Sequence, residues 1–336
     1  MKVEWLYEKH DKGVRCLVCE RKCLIDEGKR GLCKNYANLK GRLVHVGYGK
    51  LSALESRPIE IKPFFHYYPN STALTFSGFG CNFYCPWCQN YHLSFSDIPE
   101  WIREISPEEL LTLALRNKDQ GLCASFNEPA TLYTYLLDVF ELGKEKGLYC
   151  CLVTNSYFTT KALRNLIESG ASGFSIDIKG CPEMKVLGTV DHKKVFRNAK
   201  EAITLGAHVE MVYLVVPNAN DFEECYRWIF SMHLKMLGEE VPLHINRYYP
   251  MNYWKEPPTP VEKLLKLKEI AQQEYNLRYV YVGNIGSVEH ETTYCPKCGK
   301  KLIIRSGFRV LKWNLKDSKC PRCGEKIPIY GKFTRP

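Results

Sequence analysis

Three cysteines fall within eight residues in the stretch Cys81-Asn82-Phe83-Tyr84-Cys85-Pro86-Trp87-Cys88, spaced C-x3-C-x2-C. Thiolates are the ligands of iron–sulfur clusters, and an electron-carrying cluster takes four of them. The next cysteine is Cys123, far down the chain. A four-iron cluster held by these three thiolates keeps one iron open. An open iron binds a substrate group, so the spacing predicts chemistry and not electron carriage alone. The competing reading is a zinc knuckle, which needs a fourth ligand; His92 is the candidate.

The elements that must position these thiols can be read along the chain. Strands are predicted over 72–77, 122–126, 149–154, 172–177, 208–215 and 242–246, with helical stretches between them. One helix starts at Ser106-Pro107-Glu108-Glu109, a capping-box sequence with proline at the first helical position. Another covers Lys193–Leu205, and a third runs from about 260 to 274. Alternating strands and helices imply a parallel sheet with right-handed crossovers. Six such units make an α/β fold with an open, partial (β/α)6 barrel, whose chemistry gathers at the C-terminal ends of the strands.

That rule turns strand ends into site candidates. The first strand runs into the cysteine motif. The second ends at Ser125-Phe126-Asn127-Glu128-Pro129 and the third at Val153-Thr154-Asn155-Ser156. Glu128 is otherwise a helix-start acid favoured by the dipole, and Asn155 a loop cap. On the fourth strand Asp177 and Lys179 alternate by two and share a face; a charge pair on an inner face is costly unless it is used. Glu210 on the fifth strand is an inward acid, and the sixth ends at His244.

Two further cysteine groups flank this region. Cys16, Cys19, Cys23 and Cys33 lie in one short stretch. Four clustered thiols predict a metal; a small closed site favours zinc, with a second iron–sulfur cluster as the alternative. Near the C-terminus, Cys295-Pro-Lys-Cys298-Gly and Cys320-Pro-Arg-Cys323-Gly form two C-P-x-C-G knuckles, the pattern of a zinc ribbon. Rubredoxin-type iron uses similar knuckles. The remaining cysteines, 123, 150, 151, 181 and 225, read as small buried side chains, with Cys181 also placed near a strand end.

Sixteen cysteines among 336 residues, with no signal-peptide core at the start, predict a cytoplasmic metalloprotein and not a disulfide framework. No run approaches the roughly 18 apolar residues of a membrane span. The net charge of +10 is spread along the chain with no alternating basic and aromatic stripe, which argues against nucleic acid. An acidic protein partner or electron donor fits it.

The string Gly80-Cys81-Asn82-Phe83-Tyr84-Cys85-Pro86-Trp87-Cys88-Gln89-Asn90 resembles the radical S-adenosylmethionine (SAM) superfamily, in the branch related to pyruvate formate-lyase activating enzymes and other glycyl-radical-enzyme activases. Within it the chain is most similar to the AmmeMemoRadiSam proteins, the radical SAM member of a three-protein system. The resemblance implies that Cys81, Cys85 and Cys88 hold a 4Fe–4S cluster whose open iron chelates SAM. It places Trp87 near the adenine, and sets Asn127 and Glu128 where the family carries a glycine–glycine–glutamate string that meets SAM's ammonium. Asn155 matches a threonine–asparagine–glycine string near the ribose, although Ser156 replaces its glycine. Asp177 and Lys179 resemble the activases' Asp-x-Lys, whose lysine contacts SAM, and His244 matches a histidine near SAM.

The expected organisation is an N-terminal cysteine-rich segment (1–70), a radical SAM barrel (71–288) and a zinc ribbon (289–336). The expected activity is reductive cleavage of SAM to a 5′-deoxyadenosyl radical that takes hydrogen from a macromolecular, protein substrate. A ferredoxin- or flavodoxin-type donor supplies the electron. The alternatives are a glycyl-radical-enzyme activase and a non-catalytic multi-metal protein.

Overall fold

A computed structural model describes residues 1–335. The chain forms two compact units. The first comprises Met1–Arg57, Thr72–Phe174 and Glu201–Ala207; the second comprises Pro58–Ser71, Ser175–Lys200 and the chain from His208 onward.

In the first unit, parallel strands β1 (Thr72–Ser77), β2 (Gly121–Ala124) and β3 (Tyr149–Thr154) pair side by side, with Ala73 and Tyr149 both opposite Gly121. Their residues are buried almost without interruption, as expected of parallel strands covered on both faces. Helix α1 (Pro107–Arg116) follows β1 and starts as predicted: Ser106 Oγ accepts from Glu109 N, and Glu109 Oε2 accepts from Ser106 N. Helices α2 (Tyr133–Glu145) and α3 (Thr160–Glu168) follow β2 and β3. The N-terminal region adds two small antiparallel sheets. One contains Tyr7–His10, Gly13–Cys16 and Leu24–Ile25; the other contains Lys2–Val3, Arg42–His45 and Tyr36–Leu39.

Strand β4 (Ala171–Ile178) belongs to the first unit through Phe174 and to the second from Ser175. Helix α4 (Lys193–Thr204) comes next in the chain. In the second unit, β5 (His208–Val215), β6 (Leu243–Arg247) and β7 (Val280–Gly283) pair in parallel. Helices α5 (Glu223–Leu237) and α6 (Val261–Gln273) connect them. The tail forms an antiparallel sheet of Thr293–Tyr294, Lys301–Ser306 and Arg309–Trp313.

The α/β class, the parallel sheet and the six predicted strands are present. β2 stops at Ala124, two residues early, because Phe126 turns into the left-handed region at φ +69°. β7 is an addition, a four-residue strand that follows helix α6. No described helix is long and apolar enough to cross a membrane.

Candidate active site

The cysteine loop leaves β1 under tight backbone control. Asn127 Nδ2 donates to Gly78 O at 2.9 Å and Gly80 O at 2.8 Å. Asn35 Nδ2 donates to Phe79 O and to Cys33 O, each at 2.7 Å. Gly80 has φ +77°, and a Cβ there would lie 2.2 Å from Cys33 O, so no other residue fits. Two asparagines and one glycine thus fix the approach to Cys81.

Within the loop Phe83 N donates to Cys81 Sγ at 3.4 Å, Cys88 N donates to Cys85 O at 3.0 Å, and the Cys88 thiol donates to Ser94 Oγ at 3.6 Å. Cys85 is buried, Cys81 and Cys88 are half-buried, and Trp87 is buried. Burial pushes the Cys81 thiol well up, and the Glu128 carboxylate and Cys85 add to it. A bound cation reverses that penalty, and the N–H···S bond suits a thiolate, so these residues fit a metal cluster. His92 is exposed and stands edge-on to Tyr91, outside any described metal-ligand group.

The ends of β2 and β3 meet at Glu128. Thr154 Oγ1 (2.7 Å) and Ala130 N (3.1 Å) donate to its Oε1, and Asn155 N (2.8 Å) donates to its Oε2. Glu128 also caps the short 3-10 turn Pro129–Leu132, so the helix-start role is real and coexists with the junction. Asn155 Nδ2 donates to Asn82 Oδ1 at 2.7 Å, and Asn155 Oδ1 accepts from Tyr157 N at 3.0 Å. Asn82 Oδ1 lies 3.9 Å from Cys81 Sγ. Glu128, Asn155 and Asn82 therefore tie two strand ends to the cysteine loop. Ser156, in place of the family's glycine, keeps the left-handed backbone that favours glycine, at φ +54°.

Sequence reasoning gave Asn82 and Asn35 no role. Asn82 sits inside the motif, where the cysteines dominate the signal, and Asn35 acts on a carbonyl 44 residues away. Asn127, which the resemblance sets near SAM, donates through Nδ2 to the loop backbone.

In the second unit Lys179 Nζ, just past the end of β4, pairs with Asp177 Oδ2 at 2.9 Å. Glu210 is fully buried. It accepts from His66 N (2.7 Å) on Oε1, lies 3.0 Å from His208 Nε2 through the same oxygen, and lies 2.7 Å from His244 Nε2 through Oε2. Burial alone raises such a carboxyl; hydrogen bonds from His208 and His244 outweigh it and hold Glu210 well below its usual range. His244 stacks on Tyr281 and meets Phe65 edge-on. Burial lowers His66 to about 3, so it is neutral, with Nε2 2.6 Å from Tyr281 Oη. Arg305 is fully buried over the Phe65 ring, with Nη1 donating to Thr293 Oγ1 at 2.8 Å. Burial pushes nearby Glu60 up to about 7, against the pull of Arg305. Cys181 is buried with its thiol against Cys225.

The tail cysteines converge. Cys295 and Cys323 sulfurs lie 3.5 Å apart, Cys298 and Cys320 sulfurs 3.6 Å apart, and all four sulfurs fall within 4.8 Å of one another. Gly299 and Gly324 take φ +69° and +76°, and their amides donate to Cys295 O and Cys320 O, closing the two knuckles. The quartet can hold a metal ion. In the first unit, Cys16, Cys19, Cys23 and Cys33 line one small cavity.

The cysteine loop thus stands at the end of the first parallel strand, with polar groups of the next two strand ends tied to it. The chain belongs to the radical SAM superfamily, whose family model matches residues 76–229. It is 38% identical over 321 residues to the uncharacterized protein MJ0808 of Methanocaldococcus jannaschii, covering 94% of this chain and 95% of that one. The putative glycyl-radical enzyme activating enzyme MJ1632 of the same organism is 27% identical over 215 residues, covering 60% of this chain and 77% of that one. Among solved structures, a radical SAM methyltransferase from Sphaerobacter thermophilus aligns with a TM-score of 0.49 at 13% identity, over 64% of this chain and 67% of that one. Membership implies a 4Fe–4S cluster and SAM.

Proposed function

We propose that this protein is a radical SAM enzyme acting on a protein segment, with the cluster on Cys81, Cys85 and Cys88. The observation that carries the reading is the junction of Glu128, Asn155 and Asn82 beside Cys81. When bound, the cluster and SAM supply one-electron cleavage of the sulfonium, giving methionine and a 5′-deoxyadenosyl radical. The chain's residues bind and orient. With SAM bound, Glu128 would accept from its ammonium, a charge-assisted contact, and Trp87 would flank the adenine. Asn127 shapes the loop, and Asn155 sets the ribose side. In the second unit, Lys179, steered by Asp177, and His244, held in place by Glu210, are the residues that the family resemblance would assign to SAM.

The chain divides by role into the N-terminal segment 1–70, the barrel 71–288 and the ribbon 289–336. In the ribbon, Cys295, Cys298, Cys320 and Cys323 hold zinc as a structural site. The protein works in the cytoplasm with a ferredoxin- or flavodoxin-type donor.

A protein substrate is supported by the relative named as a putative glycyl-radical enzyme activating enzyme; activation of a glycyl-radical enzyme is the second reading on the same ground. Electron paramagnetic resonance of the reduced protein tests the site: added SAM should change the cluster spectrum, and an unchanged spectrum removes the open iron. Deuterium-labelled cell extract, split by size, tests the substrate. Label should enter 5′-deoxyadenosine from the protein fraction and be lost after protease treatment; transfer from the small-molecule fraction alone refutes a protein substrate.

A further inference from the structure

We infer that Cys16, Cys19, Cys23 and Cys33 hold an iron–sulfur cluster and not zinc, and that this cluster passes electrons to the one on Cys81, Cys85 and Cys88; the second part rests on the function proposed above. The first observation is size. A single zinc ion about 2.3 Å from each of four sulfurs sets them roughly 3.8 Å apart. The ribbon quartet has that dimension, with contacts of 3.5 and 3.6 Å. Among the described residues, no three of the N-terminal sulfurs lie within 4.8 Å of one another. Yet all four face one cavity, whose remaining wall includes Val18, Ile25 and Tyr36. The thiols surround a space and not a point. Sulfide-bridged iron fills such a space, and an apolar wall suits its low-dielectric setting.

The second observation is the shared wall. Asn82, beside Cys81, lines the N-terminal cavity, and Arg21 Nε holds its carbonyl at 2.9 Å. One asparagine, Asn35, ties Cys33 O to Phe79 O. Tyr84 Oη donates to Leu32 O at 3.2 Å. Gly80 approaches Cys33 so closely that a methyl group has no room. Gly80 and Asn82, which flank Cys81, thus adjoin Cys33 and the N-terminal cavity directly, a short path for an electron. The balance is simple: a reduced flavodoxin- or ferredoxin-type donor gives up one electron, the N-terminal cluster takes it and returns to its oxidised state as the motif cluster is reduced. Six basic residues against three acidic ones between positions 15 and 34 favour an acidic donor at this end.

Full-length wild type, Cys19→Ala/Cys23→Ala and Cys81→Ala/Cys85→Ala/Cys88→Ala are reconstituted anaerobically with iron and sulfide, then assayed for iron, acid-labile sulfide and zinc. The motif variant should retain iron matched by sulfide, one zinc, and a reduced-state resonance that SAM leaves unchanged. Two zincs with no sulfide in that variant overturn the cluster, whatever SAM does to wild type. The N-terminal variant should keep its SAM-sensitive resonance and cleave SAM within twofold of wild type with dithionite, but fall at least tenfold with reduced flavodoxin. Wild-type cleavage with flavodoxin overturns the relay. If circular dichroism shows that the N-terminal variant does not fold, stopped-flow reduction of the motif variant by flavodoxin decides the relay: reduction within one wild-type turnover supports it, and slower reduction overturns it. A wild-type spectrum blind to SAM, with the second cluster present, fails the proposed function and leaves the cluster standing.

Discussion

The ribbon and the first unit use the same residue and the same C-x2-C spacing, in Cys295–Cys298, Cys320–Cys323, Cys16–Cys19 and Cys85–Cys88, yet they arrange sulfur differently. In the ribbon two knuckles on an antiparallel scaffold face each other, and the left-handed Gly299 and Gly324 turn both inward until the sulfurs almost touch. In the first unit the thiols come from dissimilar pieces. Cys16 ends a strand, Cys19 bridges to Phe158, and Cys33 is pinned by Asn35. Identical spacing therefore leaves open how many metal ions a site holds; the backbone between the spaced pairs decides it. One arrangement brings four sulfurs within 4.8 Å of one another beside a small core of Leu302, Ile303, Val310 and Ile327, and the other sets four thiols around a cavity.

The contrast breaks most sharply if the two kinds of site depend on each other. Cys81→Ala/Cys85→Ala/Cys88→Ala should reduce SAM cleavage to background while elemental analysis still finds the ribbon metal. Loss of both would tie the sites together. Cys298→Ala should release the ribbon metal and open residues 289–336 to protease, because metal binding in such ribbons supplies the folding energy, on the order of 10 kcal/mol. Iron in the first unit should not change, and proteolytic resistance equal to wild type would show that the ribbon folds without metal.

A smaller effect is expected at Glu128. A hydrogen bond to an ammonium is worth roughly 1.5–3 kcal/mol, so Glu128→Gln should weaken SAM binding by about tenfold or more in equilibrium titration. Equal affinity would leave Glu128 a turn cap only. The smallest effect concerns pH. Glu60, buried and raised from 4.5 to about 7, binds its proton more tightly folded than unfolded. Its contribution is complete below about pH 4.5 and declines as pH rises through about 7. Urea unfolding of Glu60→Gln should lose that slope; an unchanged slope assigns it to another group.

The features legible in sequence are local or periodic. The Ser106–Glu109 box closes within four residues. The six strands carry apolar runs long enough to read, and the cysteines announce themselves by spacing. Features set by folding were not legible. Asn35 and Asn127 act on carbonyls 44 to 49 residues away. Arg305 reaches Phe65 across 240 residues. The two compact units are discontinuous in sequence, and residue spacing does not show that Pro58–Ser71 joins the second. The nuclearity of the N-terminal site depends on distances that spacing does not encode.

The central claim is that Cys81, Cys85 and Cys88 support reductive cleavage of SAM. Anaerobic reconstitution of the full chain with iron, sulfide, SAM and dithionite, followed by chromatography for nucleosides, tests it directly. The account predicts 5′-deoxyadenosine and methionine in equal amounts, absent when the three cysteines are replaced. A fully loaded protein that leaves SAM intact would contradict it.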